Sequence, residues 1–367
     1  PVKAVIMGWS IQPQLYRQTK ELLAPHGTEL YLWLPVFSEN ALYKEVYPLT
    51  DHQQKAVGNY SLNEGESFAF YCPNHPENGA GFLEIFEEHF GDLLSDGILT
   101  GVFLDRIRYA SFINGLGGVF SCFCPSCMQK YAEAGVDCTQ LLAEMSKVTA
   151  GTDGYDRVPL GINAYQSGEY RFDHPVWHSF FKAKQTFIYD ALVPIVNYFK
   201  ERGLRVGLDV FCPFAAYFVG QDIPRLLQLA DFIKPMMYRA TYAPAGIPFE
   251  YEGLINETIP EAARTTASDE YGRIIGYQRE NNMPVDHSFV QKELALLSGQ
   301  IYCGIEINYQ PAIVPTTVEY VIENLTALSS SAIDGFVLSW DLLSAPDSHT
   351  SAVVRYACQS KSHRPKA

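Results

Sequence analysis

The chain has 367 residues, of which 47% are hydrophobic and 19% are charged, a composition typical of a globular protein with a large core. The formal net charge of -14 repels phosphate backbones, and no stretch gathers Lys and Arg into a basic stripe, so we expect no nucleic-acid partner. No run of about 18 apolar residues is present, so we expect no membrane partner either.

Eight apolar segments of strand length alternate with helix-period segments along the chain. In order they are 3–9, 28–34, 67–72, 99–105, 205–211, 231–238, 301–308 and 333–340. Most are nearly continuous in apolar residues, which is typical of parallel strands covered on both faces. The alternation predicts a (β/α)8 TIM barrel of the α/β class, with residues 1–367 forming a single domain.

The connections between these strands differ in length. The clearest helix prediction covers 175–202, which starts at Pro175 and stops before a glycine. Two segments, 106–174 and 239–300, are too long for plain connections, and such insertions at C-terminal strand ends usually build the rim of an active site. The second insertion supplies candidate specificity contacts, namely Tyr251, Tyr271, Tyr277 and Arg279.

Four carboxylates stand at or just after the ends of predicted strands. They are Asp105, Asp209, Glu306 and Asp341. An ionised group that ends an apolar strand must be paired or solvated, and the C-terminal ends of barrel strands surround one cavity. This pattern predicts an active site. The alternative is that some of the carboxylates form only structural ion pairs, for which Arg106 or Arg108 could serve Asp105.

Glycoside hydrolysis requires two carboxyl groups, one to protonate the leaving oxygen and one to attack the anomeric carbon or activate water. Asp105 and Glu306 form the best pair by position, because the fourth and seventh strands lie across the mouth of a barrel. We therefore predict Asp105 as acid/base and Glu306 as nucleophile of a retaining enzyme. An amylase-like arrangement stays open, with Asp105 as nucleophile and Asp209 or Glu306 as acid.

Further side chains near these strand ends are predicted to contact a sugar. They are Arg106, Arg108, Tyr109, Asp209, Tyr238, Trp340 and Asp341. The first three share the loop of Asp105, where they could bond hydroxyls or shift its pKa. The indole of Trp340 could stack on a sugar ring, with ordinary barrel packing as the alternative. Lys234 lies inside a predicted strand and needs an acidic partner if buried, for which Asp209 is the leading candidate.

A C-x-C-x-x-C pattern, running from Cys122 to Cys127, follows the fourth predicted strand. Three thiolates at this spacing can wrap one metal ion, and tetrahedral zinc takes a fourth ligand. Cys72 is the leading candidate, with His75 and Cys138 as alternatives. Four protein ligands would close the zinc to substrate and make it structural, while a disulfide is the competing interpretation.

These residues together resemble a known family. The run Cys122-Phe123-Cys124-Pro125-Ser126-Cys127, with a carboxylate on the preceding strand and the earlier Cys72, resembles the zinc-bearing glycoside hydrolase family 42 β-galactosidases of clan A. The resemblance implies a structural zinc on Cys72, Cys122, Cys124 and Cys127, and the nucleophile at Glu306. It departs at Leu104-Asp105-Arg106, where the family has Asn-Glu. The stretches FLDRIRYASF and DFIKPMMYR are also similar to loosely characterised glycoside hydrolase barrels.

The resemblance also implies partners, and the cysteine cluster predicts a location. The substrate would be a glycoside or oligosaccharide, zinc would be the structural cofactor, and such enzymes often form homo-oligomers. We expect a cytoplasmic location, because a thiolate zinc site survives best where thiols stay reduced. A non-catalytic carbohydrate-binding barrel stays open. A metal-dependent aldolase or deacetylase is disfavoured, because the 9 His include no H-x-H or H-x-x-x-H at a strand end.

Overall fold

A computed structural model describes residues 2–8, 10–38, 42, 45–58, 69–278 and 284–362. Its strands are β1 (Ala4–Met7), β2 (Glu29–Pro35), β3 (Gly101–Asp105), β4 (Ile162–Gln166), β5 (Glu169–Phe172), β6 (Arg205–Phe211), β7 (Phe232–Met236), β8 (Tyr302–Glu306), β9 (Tyr309–Gln310), β10 (Val314–Pro315) and β11 (Gly335–Ser339). Its helices are α1 (Pro13–Leu23), α2 (Pro76–Ser95), α3 (Gly115–Val119), α4 (Pro125–Glu133), α5 (Cys138–Ala150), α6 (Pro175–Glu201), α7 (Pro213–Ala216), α8 (Ile223–Leu229), α9 (Ile247–Thr258), α10 (Arg264–Ile275), α11 (His287–Leu294), α12 (Val318–Leu328) and α13 (Asp347–Ser362).

Within these residues, seven strands form one curled parallel sheet in the order β1-β2-β3-β6-β7-β8-β11, accompanied by helices. Side chains alternate between the two faces, as the strand period of two requires. Tyr31, Phe103 and Phe232 pack together from neighbouring strands, whereas Val102 and Leu104 join the large core shared with the helices. The predicted α/β barrel class is therefore confirmed.

The predicted strand 67–72 is the exception, because β2 pairs directly with β3. Its first two residues lie outside the described part of the chain. Phe70 and Tyr71 form isolated bridges to the segment after β2, and the Cys72 N–H donates to the Tyr47 carbonyl at 2.9 Å. The backbone of this apolar run thus bonds to loops and not to the sheet, so the strand prediction was wrong.

The long connections carry most of the remaining helices. The segment 106–174 holds α3 to α5 and the β4–β5 hairpin, and 239–300 holds α9 to α11. The predicted helix 175–202 is confirmed as α6. Pro175 occupies its first turn, and the backbone N–H of Val176 donates to the side chain of the N-cap residue His174 at 3.3 Å. No helix in the described ranges is both long and apolar enough to cross a membrane.

Candidate active site and metal centre

Asp105 is the last residue of β3 and is half-buried at the C-terminal edge of the sheet. The indole N–H of Trp33 donates to Asp105 Oδ2 at 3.1 Å, and the backbone N–H of Arg106 donates to Oδ1 at 2.5 Å. Arg106 has a φ of 53°, in the left-handed region that non-glycine residues rarely adopt and that is enriched at functional sites. Sequence reasoning missed Trp33, because the predicted strand 67–72 stood between its strand and that of Asp105, whereas β2 pairs directly with β3.

Asp209 and Lys234 form a buried ion pair next to Asp105. The Lys234 ammonium donates to Asp209 Oδ2 at 2.8 Å, and the two side chains are 7% and 5% exposed. These residues are register partners on β6 and β7. The register of β3 with β6 ends at Leu104 opposite Leu208, so the next residues along, Asp105 and Asp209, come from adjacent strands. Gly304 makes room for the lysine, because a Cβ there would lie 2.7 Å from Lys234 Cε. The predicted pairing of Lys234 with Asp209 is confirmed.

The electrostatics of this pair bring the pKa of Asp209 close to neutral pH. Burial raises the pKa of Asp209 to about 7, the Lys234 ammonium opposes that rise, and the negative charge of Asp105 adds to it. Burial lowers the pKa of Lys234, but the Asp209 carboxylate and Tyr238 outweigh burial and hold that pKa above its ordinary value. Near pH 7 the pair therefore combines a fixed cation with a carboxyl group that exchanges its proton.

Glu306 ends β8 and is 0% exposed. Its Oε1 accepts the backbone N–H of Ala240 at 2.8 Å and the Thr241 hydroxyl at 3.4 Å, which ties it to the loop after β7. Its Oε2 makes no well-aligned hydrogen bond to any described residue. Burial raises the pKa of Glu306, while the Ala240 N–H and the nearby Tyr320 hydroxyl lower it. A buried carboxylate oxygen without an aligned partner is costly, which is unusual for a purely structural group.

An arginine that the sequence did not single out lies close to Glu306. Arg239 is buried, and its Nη1 donates to Asn324 Oδ1 at 2.6 Å and contacts His287 Nε2 at 2.7 Å. Its positive charge lowers the pKa of Glu306. These partners come from α11 and α12, so only the tertiary structure reveals them.

Several predicted sugar contacts are buried in this structure. They are Arg106, Arg108, Tyr109, Asp209 and Tyr238. Arg108 lies between two aromatic rings, with its guanidinium carbon 4.4 Å from the ring centroids of both Phe70 and Phe211. The two rings cover the faces of the guanidinium, which favours a structural role for Arg108.

Trp340 and Asp341 follow β11 and stand at the exposed part of the same edge. Trp340 is 38% exposed, and Asp341 is exposed beside it. The Asn308 side-chain carbonyl accepts the backbone N–H groups of Trp340 at 2.5 Å and Asp341 at 3.1 Å. The indole is therefore held on a braced loop where a ligand can reach it.

The tyrosines of the second insertion pack on one another. The Tyr251 ring lies 4.0 Å from that of Tyr277 and 5.3 Å from that of Tyr271, with the planes nearly parallel. All three are buried, so they pack against one another and not on an open surface, and their contact with substrate stays a prediction. Arg279 lies outside the described residues.

The four predicted metal ligands come together in one cluster. They are Cys72, Cys122, Cys124 and Cys127, whose Sγ atoms all lie within 4.8 Å of one another. The Cys72 sulfur lies 3.5 Å from that of Cys124 and 3.4 Å from that of Cys127. Sulfurs around a tetrahedral zinc lie about 3.8 Å apart for Zn–S bonds of about 2.3 Å, whereas a disulfide requires about 2.05 Å. The cluster fits a metal ion, and all eight cysteines, each within the described residues, are free thiols.

Polar groups around the cluster also suit thiolate ligands. The backbone N–H of Thr50 donates to Cys122 Sγ at 3.4 Å, and the Asn74 side-chain amide donates to Cys127 Sγ at 3.2 Å. Such donors stabilise sulfur that carries negative charge. His75, an alternative fourth ligand, instead stacks on a tyrosine ring at 3.4 Å. Cys72 therefore completes the set, as predicted.

Comparison with known proteins yields structural neighbours. No family model matches the chain, and no curated protein matches it in sequence. The glycoside hydrolase domain of PgaB (BpsB) from Bordetella bronchiseptica superposes with a TM-score of 0.52 at 14% identity, covering 95% of this chain and 88% of that one. A β-galactosidase from the psychrophilic Marinomonas ef1 gives a TM-score of 0.52 at 11% identity over 98% of this chain and 56% of that one. This chain therefore shares the fold of these two structures and spans little more than half of the β-galactosidase.

Proposed function

We propose that the protein is a glycoside hydrolase that acts on a glycoside or oligosaccharide at the C-terminal edge of its sheet. The observation that carries the proposal is the placement of Asp105, Asp209 and Glu306 at that edge, in a fold shared with glycoside hydrolases. Asp209 and Glu306 each keep one buried oxygen without an aligned partner among the described residues. Purely structural carboxylates normally satisfy both oxygens, so this arrangement supports a chemical role.

In the proposed reaction, Asp105 is the acid/base and Glu306 is the nucleophile. Asp105 is the more exposed of the two and can reach a leaving-group oxygen from the edge. Glu306 would attack the anomeric carbon while Asp105 protonates the departing glycosidic oxygen. Asp105 would then deprotonate the water that displaces Glu306 from the anomeric carbon and releases the sugar. β3 and β8 are three strand spacings apart, roughly 14 Å along the sheet. The strand spacing refers to the backbone, whereas the retaining mechanism requires the two carboxyl groups to lie about 5 Å apart. The curl of the sheet would have to bring the two side chains that close together.

A specific observation favours a second assignment, with Asp105 as nucleophile and Asp209 as acid. The two residues are neighbours on adjacent strands, which lie about 4.8 Å apart. Burial raises the pKa of Asp209 to about 7, so it carries a proton near neutral pH, as a general acid must. Asp105 would then attack the sugar.

One experiment separates these assignments. Wild type, Asp105→Ala, Asp209→Asn and Glu306→Gln are assayed on aryl α- and β-glycosides, with azide added as an external nucleophile. A retaining enzyme without its acid/base gives a glycosyl azide of the substrate's configuration, whereas one without its nucleophile gives the inverted azide. A retained product from Asp105→Ala supports the first assignment, and an inverted product supports the second. Full activity of Asp105→Ala contradicts both, and no activity of wild type on any glycoside favours a binding barrel.

We also propose that the cysteine cluster binds one structural zinc. The sulfur spacing and the donors to sulfur support this assignment, and four protein ligands leave no position for substrate. The ion would join the segment of Cys72 to the N-terminal end of α4, and so brace the connection that follows Asp105. Elemental analysis of the purified protein tests the proposal, with about one zinc per chain expected and a metal-free, fully folded protein contradicting it.

A further inference from the structure

A lysine is buried in the core close to the cysteine cluster. Lys184 lies on α6 and is 0% exposed. Its Nζ donates to the Val119 carbonyl at 2.6 Å and lies 4.4 Å from the ring centroid of Tyr109 and 5.3 Å from that of Phe180. A carbonyl and aromatic faces stabilise an ammonium group but do not neutralise its charge. In the described part of the chain, no carboxylate lies within ion-pair distance of Lys184.

Two sulfurs of the cluster act on the charge of this lysine. Burial lowers the pKa of Lys184 to about 7, and Cys122 and Cys127 oppose that effect, as thiolate ligands of a metal would. Lys184 donates to the carbonyl of Val119, which precedes Cys122 by three residues. This hydrogen bond therefore fixes the lysine to the segment that carries the cluster.

A zinc ion with four thiolates carries a net charge of about -2, and burying such a charge without compensation is costly. One further lysine approaches the cluster from α4. The Lys130 ammonium donates to Asn74 Oδ1 at 2.9 Å, and the same amide donates to Cys127 Sγ at 3.2 Å. Lys130 thus acts through an amide, and Lys184 is the cation held inside the core.

We propose that Lys184 is the buried counter-ion of the metal–thiolate centre, so that its charge helps to retain the metal and the centre's charge stabilises the lysine in the core. This inference rests on the proposed zinc centre. It assigns to α6 a role in metal retention that goes beyond helix packing. Lys184 is not a ligand, because its ammonium bonds to the Val119 carbonyl.

The first test is zinc affinity. Lys184→Met removes the charge and keeps an apolar chain of similar length, and Lys200→Met, at an exposed position of the same helix, is the matched control. Competition with a chromophoric chelator should show zinc bound about 10- to 100-fold more weakly by Lys184→Met, the range typical of groups that support metal ligands. The affinity of Lys200→Met should equal that of wild type. Equal affinity in Lys184→Met would overturn the inference.

The second test separates charge compensation from packing. Urea unfolding is followed with zinc bound and after chelation, for wild type and Lys184→Met. With zinc, the variant should be less stable than wild type, and without zinc it should be at least as stable, because a buried lysine then lacks its counter-charge. An equal loss of stability with and without zinc would mean that Lys184 only packs and bonds to Val119, and it would contradict the proposal.

Two controls keep the result interpretable. If Lys184→Met does not fold, Lys184→Arg, which keeps the charge, is used, and loss of zinc by that variant would count against a counter-ion role. If wild type binds no zinc, the zinc proposal itself fails, and the counter-ion role fails with it. If wild type binds zinc and Lys184→Met binds it equally well, only the counter-ion role fails.

Discussion

Replacing Lys234 by Met should destabilise the protein in a strongly pH-dependent way. The change leaves the buried Asp209 carboxylate without the ammonium that now lies 2.8 Å away. In the wild type, the pKa of Asp209 is about 7 against an ordinary value of 3.8. The folded protein therefore binds a proton that the unfolded chain releases, and stability falls as pH rises from about 4 to about 7, then levels off. Without Lys234 the folded pKa rises further, so the fall continues above pH 7.

The size of the effect follows from the linkage. Each pH unit between the wild-type pKa and the higher pKa of the variant costs about 1.4 kcal/mol. Between pH 7 and pH 9 the variant should therefore lose roughly 3 kcal/mol more than wild type, within the range for breaking a buried pair. At pH 5 Asp209 is protonated in both proteins, and this difference should vanish.

Urea unfolding at pH 5, 7 and 9 measures these values. The double variant Lys234→Met with Asp209→Asn has no titrating carboxyl group and should lose the extra pH dependence. Lys182→Met, which breaks a surface pair with Glu169 whose side chains are 32% and 50% exposed, should change stability by less than about 1 kcal/mol at any pH. An equal loss from Lys234→Met at pH 5 and pH 9 would refute the assignment of a buried ion pair.

Three further outcomes are expected. Asp105→Asn removes a negative charge beside Asp209, so the pKa of Asp209 should fall below about 7, and urea unfolding across the pH range should show stability levelling off at a lower pH. Cys127→Ser removes one ligand of the closed site, so elemental analysis should find bound zinc falling well below about one per chain, and unchanged zinc would contradict the four-cysteine assignment. Asn308→Ala removes the acceptor that braces Trp340, so hydrogen exchange of the Trp340 amide should accelerate, while a loss of more than about 3 kcal/mol in overall stability would show a larger role than this brace.

The elements of the sheet were predictable where an apolar run ends in a turn. The prediction 205–211 coincides with β6, because a mostly apolar run of strand length marks a buried parallel strand. The same criteria failed for 67–72, since an apolar run covered by loops has the composition of a buried strand. What separates the two is the hydrogen-bond partner, which lies far away in the sequence.

The candidate site divides in the same way. Carboxylates at strand ends were visible because an ionisable group is out of place after an apolar run. Their burial was not visible, and the arginine and tyrosine candidates beside Asp105 turned out to be enclosed. The Trp33 bond to Asp105 and the Arg239 cluster near Glu306 depend on strands and helices that meet only after folding.

By itself, the sequence determined the seven strands of the sheet in chain order, helix α6, the strand-end carboxylates and the cysteine spacing, since each depends on local periodicity or on residues close together in the chain. The tertiary structure decided which strand lies beside which, how deeply each carboxylate is buried, and that Cys72 reaches the cluster from a loop. It also bonded Lys184 to the Val119 carbonyl, three residues before Cys122. These features depend on long-range contacts, whose strength comes from burial and charge that no local pattern encodes.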